Sequence, residues 1–274
     1  MSAMSKSGDS TPVVTDHWKK PPFIENPIIR YGVMLAVFAY LSITLLTLPI
    51  DWQRAAEGLE RASRIFGGAF PPSFERSGLL IKGFLESFKI AILASVGGVL
   101  LSVPLAFMAA KNIAPKSIYL LGRGIIIVAR SFHPVIVAIL FVKAVGFGPL
   151  AGVLTLVVYS IGFVAKLLAE RIEEIDFGQV EALKSAGASF IATVAYAILP
   201  QIMPRLVGLG IYQLDSNLRA SAVVGIVGAG GIGATLANAF GRYDYDFALA
   251  ITMVIVGVIL ISEAFSGVIR KRIS

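Results

Sequence analysis

Arg123 and Arg130 stand seven residues apart inside an otherwise apolar stretch, residues 118–145. Seven residues is close to two helical turns, so a helix puts both guanidiniums on one face, with His133 near it. An arginine at mid-membrane costs about 2.5–3.5 kcal/mol on insertion scales, and it needs a partner or a wet cavity. Two guanidiniums on one stripe suit a phosphate or phosphonate group, whose oxygens arginine can hold in bidentate fashion. A second polar group, Asp215, Asn217 and Arg219, falls inside another apolar run. Asp215 and Arg219 are four apart and can pair. These six residues are the candidate lining of an anion path. Each also has a plainer role. Arg123 can snorkel to an interface, and Arg130 can serve a structural ion pair. The Asp215–Arg219 pair can stabilise its helix or a contact between two copies. His133 can be an ordinary hydrogen-bonded histidine rather than a pH switch.

Other motifs exclude chemistry rather than suggest it. Gly228, Gly230 and Gly233, with Gly231 between them, spell GxGxxG. A dinucleotide site needs a strand before that motif and a helix after it. Here an apolar run long enough to span a bilayer precedes it. The expectation is a flexible, close-packed turn at the outer end of that run, near a gate. No GxxxxGK[ST] phosphate loop occurs, so the chain does not bind and hydrolyse ATP by that mechanism. No paired carboxylates or histidine cluster sit in a span, and no catalytic residues are expected. With no cysteine, disulfides, thiol catalysis and cysteine metal sites are excluded. His17 and His133 make no metal-ligand cluster, and no cofactor is expected in this chain.

The elements that carry these residues are membrane helices. Of 274 residues 56% are hydrophobic and 15% charged, against about 25% charged in soluble domains. The apolar residues fall in runs near the roughly 20 residues that cross a hydrocarbon core. The net charge of +7 lies beside and between these runs. It therefore reads as an orientation signal rather than a nucleic-acid surface.

Residues 1–29 form a polar tail with Pro12, Pro21, Pro22 and Pro27, without the pattern of a cleavable signal peptide. Residues 30–50 hold the first span. Residues 51–83 follow as an amphipathic segment, with Trp52, Ala56, Leu59 and Phe66 at helical spacing, expected to lie at the membrane interface. Residues 84–268 form a five-helix core, with spans near 84–110, 118–145, 150–168, 206–228 and 247–268. Residues 269–274 are a basic end containing Arg270, Lys271 and Arg272. The fold class is an all-α polytopic membrane protein of about six transmembrane helices. Six spans put both termini, Lys111, Lys116 and the polar segment 169–205 in the cytoplasm, as the positive-inside rule prefers. The same count puts 51–83 outside despite its basic residues. A seven-span arrangement would separate the termini.

Segment 169–205 is the most informative. It contains Glu181-Ala182-Leu183-Lys184-Ser185-Ala186-Gly187 and then Leu199-Pro200. One helix can run from about Val180 to Ala186 and end near Gly187. A second can start at Phe190 and run until Pro200 and Pro204 disturb it. The result is a cytoplasmic helix–turn–helix between two spans, able to transmit force from a soluble motor.

This segment resembles the signature loop of bacterial binding-protein-dependent ABC importer permeases, type I. That pattern is Glu-Ala-Ala, three residues, Gly, nine residues, Ile, one residue, Leu-Pro. Glu181, Ala182, Gly187, Leu199 and Pro200 match. Leu183 and Ala197 depart from it with apolar residues. Residues 170–176, 217–233 and Arg130-Ser131-Phe132 are similar to phosphonate importer permeases, and the likeness covers about residues 80–268. Where Pro-Glu is expected after Phe132, this chain has His133-Pro134. The resemblance implies a bacterial cytoplasmic-membrane subunit that works beside a second copy or a paralogue. It implies two ATP-binding cassette ATPases carrying ATP and Mg, and an external phosphonate-binding protein. It makes the cargo phosphonate or a related phosphorus oxyanion. Methionine permeases share the Gly-rich stretch, so methionine is one alternative. A self-contained secondary transporter or channel is another, although no internal repeat is evident.

Overall fold

The computed structural model describes residues 24, 26–49 and 51–273. Most of the expected N-terminal tail, His17 included, and the side chains of the basic end lie outside the described residues. The chain divides into two compact units, residues 1–60 and 61–274.

The first unit contains α1, Pro27–Thr47. Asn26 caps it by accepting the Ile28 N–H at 3.0 Å, and Pro27 takes the first position, where a missing N–H costs nothing. None of its residues is buried, as suits a helix surrounded by lipid. Helix α2, Trp52–Ala69, starts in this unit and ends in the next. Trp52, Leu59 and Phe66 recur every seven residues along it and are exposed. That is the amphipathic pattern expected from the sequence.

The second unit holds α3 (Ser77–Met108), α4 (Lys116–Ser131), α5 (Pro134–Val145) and α6 (Pro149–Glu173). Then come α7 (Phe177–Ser185), α8 (Phe190–Thr193), a π turn (Val194–Ile198) and α9 (Leu199–Val224). A second π turn (Gly225–Ala229), α10 (Gly231–Gly241) and α11 (Tyr245–Ile273) complete it. Among the described residues, five helical runs are long and apolar enough to cross a membrane: α1, α3, α6, the run Phe190–Ala229, and α11. Helices α4 and α5 together are also apolar enough, but they meet at a 92° bend, the geometry of a broken span or a re-entrant loop; counted as one span they bring the total to six. The fold is therefore all-α and polytopic.

Three boundaries differ from expectation. The span expected over 118–145 is two helices, because Pro134 lacks an N–H and pushes His133 out of the helical region. His133 sits at φ −67°, ψ 140°. Residues 169–173 belong to α6 rather than to the loop after it. The helix starting at Phe190 does not stop at Pro200 but continues into α9. The π turn absorbs the proline: the Leu199 N–H reaches back five residues to the Val194 carbonyl.

Lipid tails are as apolar as leucine, so close packing rather than water exclusion must hold the spans together. The seam between α3 and α6 accordingly uses small residues. Ala91, Ala94, Ala106, Ala151, Ala165 and Ala169 are fully buried. A Cβ added at Gly98 would overlap the Ser160 side chain, and one at Gly97 would meet Val157 at 3.3 Å.

Candidate translocation path and coupling segment

Helix α9 carries two separate polar arrangements. Asp215 is buried, and its Oδ2 accepts from Arg219 Nη2 at 2.6 Å while its Oδ1 accepts from Ser262 of α11 at 2.7 Å. The Arg219 side chain remains 42% exposed. Its guanidinium is thus neutralised yet reachable. Asn217 points elsewhere and is fully buried. Its Nδ2 donates to Ser95 of α3 at 2.9 Å and Ser160 of α6 at 3.0 Å, and its Oδ1 accepts from Gln213 at 3.0 Å. A buried amide with all these partners ties three spans together where an unpaired one would cost about 1–3 kcal/mol. The structure therefore splits the sequence-predicted trio: Asp215 and Arg219 form an ion pair, and Asn217 is a packing node. Along α9, Arg205, Tyr212 and Arg219 recur every seven residues on an exposed stripe.

The other predicted group, Arg123, Arg130 and His133, meets three different surroundings. Arg123 is committed to packing. Its Nε donates to the Ala109 carbonyl at 2.9 Å and its Nη2 to Glu173 Oε1 at 2.9 Å. Glu173 also accepts the Lys111 N–H at 2.7 Å. The clip joins the ends of α3 and α6 to α4. A negative carboxylate at the C-terminal end of α6 is available to arginine, and the sequence spacing of α4 says nothing about it. Arg130 is exposed, its stem lying against Gly162, and it has no ion pair among the described residues. His133 caps α5, its Nδ1 accepting the Val135 N–H at 3.4 Å. Its type is explained by helix capping just ahead of a proline.

The candidate coupling segment is a helix–turn–helix. The Asp176 side chain caps α7 by accepting the Gly178 N–H at 2.9 Å. Gly187 ends it at φ +78°, a left-handed conformation that favours glycine, with its N–H on the Lys184 carbonyl at 3.0 Å. Glu181, Ala182 and Gly187 are exposed, as are Phe190, Ile191 and Tyr196. Leu199 is half-buried and Pro200 exposed. Val180, Ala197 and Ile198 are buried in one core with Ala106, Ala169 and Ile172, so the segment is seated on the spans. Gln201 fixes the joint. Its Oε1 accepts the Asp176 N–H at 2.9 Å, and its Nε2 donates to the Ala197 carbonyl at 2.7 Å and the Asp176 carbonyl at 3.3 Å.

The Gly-rich turn is a packed joint and not a nucleotide cradle. Gly228, Gly230 and Gly231 have φ of +98°, +80° and +74°. A Cβ on Gly230 would meet the Pro149 nitrogen at 2.9 Å, and one on Gly233 would overlap the Ala222 carbonyl. The first N–H groups of α10 are already used: Gly231 donates to Glu86 and Ile232 to Ser87, each at 2.9 Å. A carboxylate from α3 thus occupies the electropositive helix start that a phosphate would need. Beyond the spans, Arg76 donates to Asp244 at 2.8 Å, and that bond and charge raise its pKa above the ordinary guanidinium value.

Sequence reasoning missed Gln213, Ser95, Ser160, Ser262 and Gln201. Serines in spans commonly bond their own helix, as Ser95 does to the Ala91 carbonyl at 2.7 Å, so their type carries no signal. Gln201 and Gln213 were readable as amides in or beside an apolar run.

Apolar spans with polar side chains joining them, and a helix–turn–helix seated between two of them, define a polytopic transport subunit. The family model described as "binding-protein-dependent transport system inner membrane component" matches residues 102–274, and the chain belongs to this family of ABC importer permeases. It is 36% identical over 245 residues to the phosphite transport system permease protein PtxC of Stutzerimonas stutzeri, covering 89% of this chain and 87% of that one. It is 39% identical over 247 residues to the phosphate-import permease protein PhnE of Mycolicibacterium smegmatis, covering 89% of this chain. This chain spans 45% of that relative's length. The MetNI methionine ABC transporter in an inward-facing conformation has the same fold. Its TM-score is 0.64 at 21% identity, covering 74% of this chain and 99% of that one. Family membership makes this chain a membrane component that is not itself catalytic, with the ATPase a separate subunit in homologous systems. A self-contained secondary transporter or channel is thereby set aside.

Proposed function

We propose that this permease carries a phosphorus oxyanion, such as phosphonate, phosphite or phosphate, and that Arg219 meets it in the membrane. The observation that carries this reading is the Asp215–Arg219–Ser262 arrangement. A cation half-exposed within a span is held ready by a buried carboxylate, so its charge is balanced when the path is empty. The names of the relatives matched over 89% of this chain, for phosphate and phosphite, support the same chemistry. Methionine is the second reading. It draws on the D-methionine transport permease MetI of Vibrio cholerae, 31% identical over only 45% of this chain. In the assembly two ATPase subunits bind ATP and Mg, an external binding protein delivers cargo, and a second copy or paralogue completes the path. The α7–α8 segment, both termini, Lys111 and Lys116 face the cytoplasm, and α2 lies on the outer surface. Phe190, Ile191 and Tyr196 give the segment an apolar contact for the ATPase.

The test is uptake into vesicles holding the complete importer. Labelled phosphite, phosphate or methylphosphonate should accumulate with ATP, and methionine should not; the reverse preference would sink the cargo assignment. Gly187→Asp forces a side chain into a left-handed position at the tip of the segment, and it should release the ATPase during purification. A complex that co-purifies and transports unchanged would remove the coupling role.

A further inference from the structure

A cleft of about 820 Å³ opens between α6 and α9 beside the coupling segment. Glu170, Arg171 and Glu174 line it from the end of α6, and Gln201, Arg205 and Tyr212 from α9. Its acids are already paired, which leaves one arginine over. Glu170 lies 3.6 Å from Lys166, and Glu174 lies 3.6 Å from Arg171. Arg205 has no hydrogen bond or ion pair among the described residues.

We propose that this cleft is an inner holding site for the oxyanion cargo, gripped by Arg205 in a cleft that Tyr212 and Arg171 also line, just before release on the coupling side. The inference rests on the cargo reading above and adds a second station to it. Three observations support it. Arg205 lies on the same α9 stripe as Arg219, fourteen residues and about 21 Å away along the axis, so one helix face leads from one guanidinium to the other. Tyr212, stacked on Phe163 with ring centroids 5.3 Å apart, stands between them. The unpartnered guanidinium offers the planar fork that a tetrahedral oxyanion accepts, while Glu170 and Glu174 keep the hold weak. A station on a transport route has to let go, and a moderate field serves that need. The floor of the cleft is Gln201, one helical turn from Arg205, whose amide holds the start of α7. Occupancy is therefore placed next to the joint of the coupling segment.

The absence of native cysteine gives a clean test. Gly208 lines the cleft, and a Cβ there meets nothing within 4 Å, so Gly208→Cys is a tolerated reporter. In inside-out vesicles with the complete importer, millimolar phosphite, phosphate or methylphosphonate should slow maleimide labelling of the Gly208→Cys variant several-fold. Sodium chloride at equal ionic strength should not. Adding Arg205→Ala should restore the unprotected rate, and Arg205→Lys should keep part of the protection, which separates lost charge from lost fold. No protection by any of the three anions, or equal protection with Arg205→Ala, overturns the inner site. Uptake in right-side-out vesicles separates the two readings. Uptake without protection removes the inner site alone, whereas no uptake of any phosphorus oxyanion removes the cargo assignment and this site with it.

Discussion

Helices α4 and α9 both present arginines at multiples of seven residues, and Arg123 on α4 stands in surroundings opposite to those of the two arginines on α9. On α4, Arg123 reaches the ends of α3 and α6, donating to the Ala109 carbonyl and to Glu173. On α9, Arg219 is balanced by a carboxylate from its own helix one turn earlier, and Arg205 faces an open cleft. Periodicity decides which face a side chain occupies. What stands opposite that face decides whether the charge is spent on packing or left open to the surroundings.

The comparison can be broken most sharply at Arg219. Arg219→Ala should lower uptake roughly 10- to 100-fold, the scale of a charged hydrogen bond worth about 1.5–3 kcal/mol. The neutral pair Asp215→Asn with Arg219→Gln should recover thermal stability without recovering uptake; recovered uptake would make the pair purely structural. Next is the joint that α9 provides. Gln201→Ala removes two hydrogen bonds at the start of α7 and one to the Ala197 carbonyl, and several-fold more ATP should be hydrolysed per anion transported. An unchanged ratio would mean that α7 holds its place without that amide. Arg123→Ala should act through the fold instead, destabilising the solubilised protein by about 1–3 kcal/mol with uptake per folded molecule retained. A transport defect at unchanged melting temperature would return Arg123 to the path. The smallest effect belongs to His133. His133→Ala should cost about 1 kcal/mol as a lost helix cap, and His133→Asn should cost little.

The same contrast explains what the sequence made legible. Span number, the amphipathic α2, the turn at Gly187 and the Asp215–Arg219 pair all follow from local spacing. The Arg123 clip, the Asn217 node and the Glu86 cap on α10 do not. Each joins residues fifty or more positions apart, 50 for Arg123 to Glu173 and 145 for Glu86 to Gly231. Partners at such separations are set by which helix lies beside which, and one chain's hydropathy does not encode that. The π turn before Leu199 was also hidden, because a proline in sequence announces a disturbance without saying whether the helix stops or loosens and goes on.

The small-residue seam between α3 and α6 sets how the permease can move. Gly98 lies directly against Ser160, and fully buried alanines bring the two backbones close between larger core residues such as Ile90 and Leu156. Sliding one helix past the other would drive the backbone near Gly98 into Ser160 within a fraction of a turn. The close fit therefore resists shear between α3 and α6 and favours their moving, where they move, as one body.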